Sequence, residues 1–305
     1  MRDEENVFGV QLGDLSKEDW LDQLEDFALD HGFFEPLGPL HSAVHIEGSD
    51  TLLVTFESIE NTRARSESGE PLGFELVRMT GCSHLGLISD GDTWFRSDRV
   101  YAFFDKLTDD GFFDQYEQIV FYGYAMAGYA AAAFSVAAPG AQVVVIQPQA
   151  SLDPRVAGWD RRYLEMRRTS FTDRYGYAPD MLDACHHAFV IYDTERERDA
   201  MHASLFKKKN VSLIRCPHLG GDIENEMMKM DILHRILAKS GKGKLSDQAL
   251  FRILRARRLH TPYLRRLLLH VHEQNKPKLT AALCRYILKD KNLPQVRRIL
   301  QQVQG

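Results

Sequence analysis

A turn between an apolar run and an alanine-rich run carries small residues at the spacing that presents a catalytic side chain. The stretch FYGYAMAGYAAAAF, residues 121–134, places Gly123 before the turn, and Ala127 and Gly128 after it. Small residues at these positions let a strand and the following helix pack closely, so that the central side chain stands exposed above the sheet. A serine there would be a nucleophile, but this chain has Ala125. The turn therefore predicts the backbone geometry that presents a nucleophile, although the residue at its centre is not a nucleophile.

The same stretch resembles the nucleophile elbow of the α/β-hydrolases, in the form Gly-x-Ser-Met-Gly-Gly-Tyr. The segment QPQASLDP, residues 147–154, is similar to one that follows the elbow strand in bacterial members associated with surface-glycan assembly. The resemblance covers roughly residues 40–238 and departs from the family at Ala125 and at Ala127, which replaces a glycine. It implies esterase or acyltransferase ancestry, with a small-molecule or glycan acyl ester as substrate.

The resemblance also implies a catalytic acid and then a histidine after the nucleophile. Asp193 ends the strand candidate HAFVIYD, and His218 follows the last strand candidate, VSLIRCP. We assign His218 as the general base and Asp193 as the carboxylate that fixes its tautomer and stabilises its charged form. Glu195 and Asp199 are close rivals for the acid. We expect the side chain of His218 to reach position 125.

Two backbone N–H groups would stabilise the negative charge that develops on an acyl carbonyl oxygen. One belongs to Met126, at the start of the helix after the turn. The other is expected within residues 57–59, after the run TLLVTFES, with Ser58 as the candidate. A plain surface loop is an equal alternative at that place. Trp94 and Phe95 either line a pocket or belong to the core.

The elements that would position these residues alternate between strands and helices, which predicts an α/β fold with a doubly wound, mostly parallel sheet. Helices are predicted over residues 15–31 and 97–111, with Ser16 and Ser97 as N-caps. Residues 149–186 are long for a crossover and predict a lid or cap insertion. The strand candidates are residues 42–48, 51–58, 84–90, 118–124, 141–148, 187–193 and 211–217.

From residue 245 onward the pattern predicts helices only, and the charge changes sign. From Lys239 to the end there are 16 Lys and Arg against 3 Asp and Glu, whereas the whole chain carries a net charge of -5. We therefore predict an α/β-hydrolase-like domain over residues 1–240 and a basic helical domain over residues 241–305. The basic helices would either dock on the acidic main domain or bind a polyanion. The crowded arginines are Arg255, Arg257, Arg258, Arg265 and Arg266.

The composition favours a globular protein of a reducing compartment. Hydrophobic residues make up 44% and charged residues 27% of the chain, which is ordinary for a soluble protein. The acidic first twenty residues predict no signal peptide, and the apolar runs are too short to span a bilayer. Four scattered cysteines without a C-x-x-C pair indicate neither a zinc knuckle nor a redox motif. We expect a cytoplasmic protein with no cofactor and no bound metal.

The missing serine leaves two hypotheses about function. The first is a relative of esterases and acyltransferases that is inactive or nearly so, whether Ala125 arose by natural loss or by an engineered Ser→Ala change. The second is a non-catalytic binding or scaffolding protein that uses the former active-site pocket and the basic tail. Water-mediated hydrolysis with His218 as base is weaker, because triad-deleted enzymes keep only about 10³–10⁴-fold over water. If the triad partners are aligned, Ala125→Ser should restore esterase activity.

Overall fold

The computed structural model describes residues 12–65 and 67–304, and in this part of the chain eight strands form one sheet. The strands are β1 Gly32–Pro36, β2 His41–Ile46, β3 Thr51–Ser58, β4 Ser83–Ser89, β5 Gln118–Tyr124, β6 Gln142–Ile146, β7 His187–Tyr192 and β8 Val211–Arg215. Their order across the sheet is β1-β2-β4-β3-β5-β6-β7-β8. Strand β2 is antiparallel to both of its neighbours, and the other pairs are parallel. The predicted mostly parallel α/β sheet is confirmed.

Helices flank this sheet and continue beyond it. The α-helices are α1 Lys17–His31, α2 Ile59–Arg65, α3 Leu72–Thr80, α4 Asp98–Asp109, α5 Met126–Phe134, α6 Pro154–Ala157, α7 Ala178–Met181, α8 Glu197–Leu205, α9 Ile223–Lys229, α10 Leu233–Gly241, α11 Asp247–Ile253, α12 Thr261–Glu273, α13 Pro277–Asp290 and α14 Pro294–Gln304. Within the described ranges, none of these helices has the length and apolar character needed to cross a membrane.

Alternate residues of the central strands face opposite sides of the sheet and contribute to two hydrophobic cores. In β6, Val143 and Val145 belong to one core, whereas Val144 and Ile146 belong to the other. Helices α4 and α5 pack in the first core, and helices α1, α3 and α10 pack in the second. Because helices cover both faces, residues of both orientations are apolar, which explains the continuous valine and isoleucine runs in the sequence.

Both helices predicted in the first third of the chain are present. Helix α1 begins after Ser16, whose Oγ accepts a hydrogen bond from the N–H of Asp19 at 3.1 Å, as predicted for an N-cap. Helix α4 begins after Ser97, which occupies the N-cap position without a side-chain capping bond. The sequence-based prediction omits β1, α2 and α3. These elements are short, and short elements depend on tertiary contacts more than on their own pattern.

The C-terminal helices pack in two different ways. Leu250 of α11 and Leu254, which follows it, join the sheet-facing core that contains α10. Helices α12, α13 and α14 form a small core of their own, consisting of Leu264, Leu268, Cys284, Ile287 and Val296. The described residues from 241 to 304 contain no strand, as the helical pattern predicts. The separate core therefore begins downstream of the change in charge at Lys239.

Residues 149–186 connect β6 to β7 and contain α6 and α7. Arg96 holds this segment against the main body, because its guanidinium donates a hydrogen bond to the carbonyl of Arg174 at 2.7 Å. Tyr129 of α5 donates a hydrogen bond to the carbonyl of Tyr175 at 2.9 Å. The segment thus packs beside α5 in this structure. Its role as a lid stays a prediction.

Strand β5 and helix α5 approach each other so closely that one glycine is required between them. A Cβ added to Gly123 would lie 2.1 Å from the carbonyl oxygen of Ala127 and 2.7 Å from the backbone nitrogen of Gly128. These are backbone atoms of a buried helix, so they cannot move aside cheaply. A Cβ on Gly128 would meet its nearest atom only at 3.1 Å.

We therefore expect Gly123→Ala to lower the free energy of unfolding by about 3 kcal/mol, the upper part of the range for overpacked cores. Gly128→Ala is the matched control. The mild crowding in Gly128→Ala is offset by the better helix propensity of alanine, so the change in the free energy of unfolding should stay within about 1 kcal/mol. Urea denaturation followed by circular dichroism measures both. Equal losses in the two variants would contradict the close-approach argument.

Candidate functional site

Ala125 occupies a sharp turn between β5 and α5. Its backbone angles are φ 52° and ψ -117°. Its N–H donates a hydrogen bond to the carbonyl of Ile146 at 2.9 Å, and its carbonyl accepts one from the N–H of Tyr129 at 3.0 Å. A residue with a Cβ rarely adopts a positive φ, and such a conformation costs on the order of 1–3 kcal/mol. The structure therefore keeps the strained turn that a nucleophile would use, at a residue that has no nucleophilic atom.

Ala125 opens onto a cavity of about 170 Å³, which we call the elbow cavity. The residues that line it are Phe56, Glu57, Ser58, Asn61, Arg65, Asp92, Trp94, Tyr124, Ala125, Met126, Ala127, Tyr163 and Glu224. Tyr163 comes from the segment between β6 and β7, so this segment closes one side of the cavity. The lining thus combines a hydrophobic wall with several polar and charged side chains.

The two candidate oxyanion residues both line the elbow cavity. Met126 is the first residue of α5, where backbone N–H groups have no acceptor within the helix. Ser58 is the last residue of β3 rather than part of a loop, because α2 begins at the next residue. Its Oγ accepts a hydrogen bond from the N–H of Asn61 at 3.2 Å. The structure brings these two residues together with Ala125, and their oxyanion role stays a prediction.

His218 lies in the loop after β8 and is not among the described residues that line the elbow cavity. In the same loop, the carbonyl of Gly221 accepts hydrogen bonds from Gln147 at 3.2 Å and from Tyr124 at 3.5 Å. The His218 ring instead packs on His270 of α12, with ring centroids 4.6 Å apart. Burial lowers the pKa of His218 from its ordinary value of 6.5, and the neighbouring His270 lowers it further.

Asp193 is buried at the end of β7, and both of its carboxylate oxygens accept backbone hydrogen bonds. Oδ1 accepts from the N–H of Glu195 at 2.9 Å, and Oδ2 accepts from the N–H of Gly220 at 3.1 Å. Among the described residues, no hydrogen bond joins Asp193 to the ring of His218. The carboxylate therefore ties the loop after β7 to the loop after β8.

The rival acids have partners of their own. Asp199 accepts a hydrogen bond from Gln147 at 2.8 Å and another from Arg162 at 2.7 Å. The carboxylate of Glu195 lies 4.0 Å from Nδ1 of His270. The sequence gives no sign of His270, because it lies in the helical tail that the family resemblance leaves out. The triad assignment of Ala125, His218 and the acid stays a prediction.

The order of the strands, the antiparallel β2 near one edge and the strained turn after the central strand β5 decide the fold class. The protein has the α/β-hydrolase fold. Ala125 lies on the turn directly after β5, and its assignment as the nucleophile position of this fold stays a prediction.

Several solved structures are similar to this α/β-hydrolase-fold chain at low sequence identity. A thermostable carboxylesterase cloned from a metagenomic library is 12% identical over 75% of this chain and 97% of its own, with a TM-score of 0.44. An esterase from Pyrobaculum calidifontis is 15% identical over 77% and 96%, with a TM-score of 0.47. The capsule O-acetyltransferase of Neisseria meningitidis serogroup A is 10% identical over 64% and 91%, with a TM-score of 0.42. No protein-family model and no curated protein matches the sequence.

Trp94 is both a core residue and a cavity-lining residue of this α/β-hydrolase fold. Its side chain is 1% exposed, and its ring packs edge-on against Tyr163 with centroids 4.7 Å apart. Its indole Nε1–H is buried without a hydrogen-bond acceptor among the described residues. A buried donor left unpaired costs about 1–3 kcal/mol. Phe95, by contrast, packs in the core against Phe56, at 5.0 Å between ring centroids.

Two carboxylates and one arginine form a buried polar cluster in the lining of the elbow cavity. Arg65 of α2 donates to Glu57 at 2.6 Å, and its guanidinium lies 3.7 Å from the carboxylate of Glu224. Glu224 also accepts a hydrogen bond from the hydroxyl of Tyr122 at 2.5 Å. Sequence reasoning missed Arg65 and Glu224, since neither belongs to a motif and they lie far apart in the chain.

The two carboxyl groups of this cluster have opposite pKa shifts. Burial alone would raise the pKa of Glu57, but Arg65 and the N–H of Leu72 outweigh it and hold that pKa below the ordinary 4.5. Burial dominates at Glu224 and raises its pKa, although Arg65 and Tyr122 oppose the rise. Glu57 is therefore the firmly ionised partner of Arg65. Glu224 is the carboxyl in the cavity wall that takes up a proton more readily.

We expect Glu57→Gln to lower the free energy of unfolding by about 3 kcal/mol near neutral pH, because it leaves Arg65 buried with less compensating charge. Glu60→Gln, an exposed change three residues later, should stay within about 0.5 kcal/mol. A carboxyl with a depressed pKa stabilises the fold above its unfolded pKa and loses that contribution as pH falls through the folded value. The difference in the free energy of unfolding between wild type and Glu57→Gln should therefore become smaller below pH 4.5, which is the ordinary pKa of this carboxyl. Denaturation curves across pH measure it, and a gap that widens in acid would contradict the assigned shift.

Proposed function

We propose that the protein is a non-catalytic relative of the esterases and acyltransferases of the α/β-hydrolase fold, and that it binds a small acyl-bearing ligand in the elbow cavity. The observation that carries the proposal is Ala125, at a turn whose backbone is strained in the way that presents a nucleophile. A methyl group at that position has no lone pair with which to attack a carbonyl carbon. The proposed function therefore does not include acyl transfer through a serine nucleophile.

The contacts of the other triad candidates support the same proposal. The His218 ring packs on His270, and the carboxylate oxygens of Asp193 accept backbone N–H groups. A general base must lie within hydrogen-bond reach of the group it deprotonates. Among the described residues, the ring of His218 and the carboxylate of Asp193 do not form the hydrogen bond that joins a working general base to its carboxylate partner. The arrangement fits a fold that holds its loops in place without using them for proton transfer.

The size and lining of the elbow cavity indicate the class of ligand. A volume of about 170 Å³ is below the range of roughly 300–1,000 Å³ for pockets that hold drug-sized molecules. An acetyl group or another short acyl chain fits such a space better than a whole sugar or lipid. The Met126 N–H at the start of α5 is the donor for an acyl carbonyl oxygen. Trp94 lines the same cavity, but its unpaired Nε1–H is buried.

Ala125→Ser tests whether only the nucleophile is missing. We expect this variant to fold normally, to remain unlabelled by a fluorophosphonate probe and to hydrolyse p-nitrophenyl acetate no faster than wild type, because the new hydroxyl lacks an aligned base. Labelling is followed by intact-protein mass spectrometry, and the fold by circular dichroism.

The double variant Ala125→Ser with His218→Ala is the control for this experiment. If Ala125→Ser is labelled and the double variant is not, His218 acts as a base, and the chain is an enzyme that lacks only its serine. Restoring a catalytic serine in an aligned triad would raise turnover by about 10⁶-fold. An increase of that order would overturn the non-catalytic proposal.

A second candidate function rests on a basic groove between α10 and α11, with a volume of about 410 Å³. The basic groove is lined by Arg235, Ala238, Lys239, Lys242, Lys244, Ala249, Arg252 and Ile253. Five of these described residues are cationic and none is acidic. The tail arginines expected to bind a polyanion are partly engaged elsewhere, since Arg266 donates to Glu226 at 2.9 Å and Arg257 lies over Tyr263 at 5.5 Å. We propose the basic groove as the site for an anionic glycan.

The triple change Lys239→Gln, Lys242→Gln and Arg252→Gln should weaken binding of fluorescent heparin oligosaccharide at least tenfold in an anisotropy titration. Raising NaCl from about 50 to about 200 mM should also weaken the wild-type complex steeply, because binding releases counterions. The charge-matched control removes Lys278, Arg285 and Lys289, which are exposed on α13. Equal loss in both triple variants would mean that net charge, and not the groove, attracts the polyanion.

A further inference from the structure

Three side chains of metal-binding type meet where helix α12 lies beside the loops after β7 and β8. Glu195 belongs to the segment after β7, His218 to the loop after β8 and His270 to α12. Each offers one ligand atom, and these atoms all lie within 4.8 Å of one another. Nδ1 of His270 is 4.0 Å from a carboxylate oxygen of Glu195. Because the residues are far apart in the chain, no sequence spacing reveals them.

The segments that carry these ligands are fixed by other contacts. The carboxylate of Asp193 binds the N–H of Glu195 and the N–H of Gly220, so it holds two of the three segments together. Arg266, one turn before His270 on α12, donates hydrogen bonds to the carbonyls of His218 and Leu219. The positions of the ligand backbones are therefore set before any ion binds.

We propose that Glu195, His218 and His270 bind one divalent transition-metal ion, with Zn²⁺ as the matching metal. Two imidazoles and one carboxylate suit Zn²⁺, whereas Mg²⁺ and Ca²⁺ select oxygen ligands. Bonds of about 2.0–2.2 Å in a tetrahedral site place ligand atoms roughly 3.4 Å apart. The side chains thus close by about 1 Å on binding, and the Glu195 side chain, 48% exposed, is free to move. Water completes the coordination.

The metal would join the helical tail to the α/β-hydrolase fold through the residue in the general-base position. A histidine whose ring nitrogen binds Zn²⁺ cannot accept a proton from a nucleophile at that nitrogen. The inference goes beyond the proposed function, because the elbow cavity and the basic groove share none of these three residues.

Isothermal titration calorimetry with Zn²⁺ on the full, tag-free chain tests the site. We expect one ion per chain, and an affinity at least about tenfold lower in Glu195→Gln and in His270→Ala, since even supporting residues of metal sites contribute about 10–100-fold. His272→Ala, a histidine two residues further along the same helix, should keep wild-type affinity. Mg²⁺ should give no binding heat at the same concentration.

Co²⁺ provides a second measurement that reports the ligands directly. Bound Co²⁺ should give a visible absorption band typical of nitrogen and oxygen ligands in a four- or five-coordinate site. The band should be lost in His270→Ala and kept in His272→Ala, with circular dichroism confirming that both variants fold. The absence of stoichiometric Zn²⁺ binding to wild type would overturn the proposal. Binding that survives both Glu195→Gln and His270→Ala would overturn it equally.

Discussion

The contact between the backbone of Gly123 and the backbone of Ala127 controls the carboxyl edge of the sheet. Only a residue without a Cβ lets α5 begin so close to the end of β5. The helix can then start directly after Ala125, which must adopt a positive φ to reverse the chain. This start places Met126 and Ala127 beside the end of β3 and creates the elbow cavity. The cavity therefore results from backbone packing and does not require a catalytic side chain.

Backbone strain is concentrated in the segments that follow the parallel strands. In the stretches directly after β4, β5, β6 and β8, five described non-glycine residues have a positive φ, namely Trp94, Phe95, Ala125, Gln147 and His218. Such conformations persist only where surrounding contacts overdetermine them. At Gln147 the side chain supplies those contacts, through Asp199, the carbonyl of Gly221 and the N–H of Ile223. The loops are thus held in defined positions by side-chain hydrogen bonds, which is what a binding site requires.

The helical tail contributes directly to the surroundings of His218. Arg266 and His270 lie four residues apart on α12 and therefore face the same side of the helix. One donates to the carbonyl of His218, and the other packs on its ring. Glu226 accepts hydrogen bonds from Arg266 and His260, so α9 is tied to the same helix. The tail docks through specific polar contacts, and its remaining cations include Arg252 in the basic groove.

The sequence by itself determined the alternation of strands and helices, the tight turn at Gly123 and Ala125, and the change to basic helices at the end of the chain. These features are local, because hydrophobic period, glycine and charge act over a few residues. Only the tertiary structure decided which side chains meet. Arg65 with Glu57 and Glu224, and His218 with Glu195 and His270, are pairings across distant segments. Strand order and helix docking set these pairings, and neither leaves a mark in the local sequence pattern.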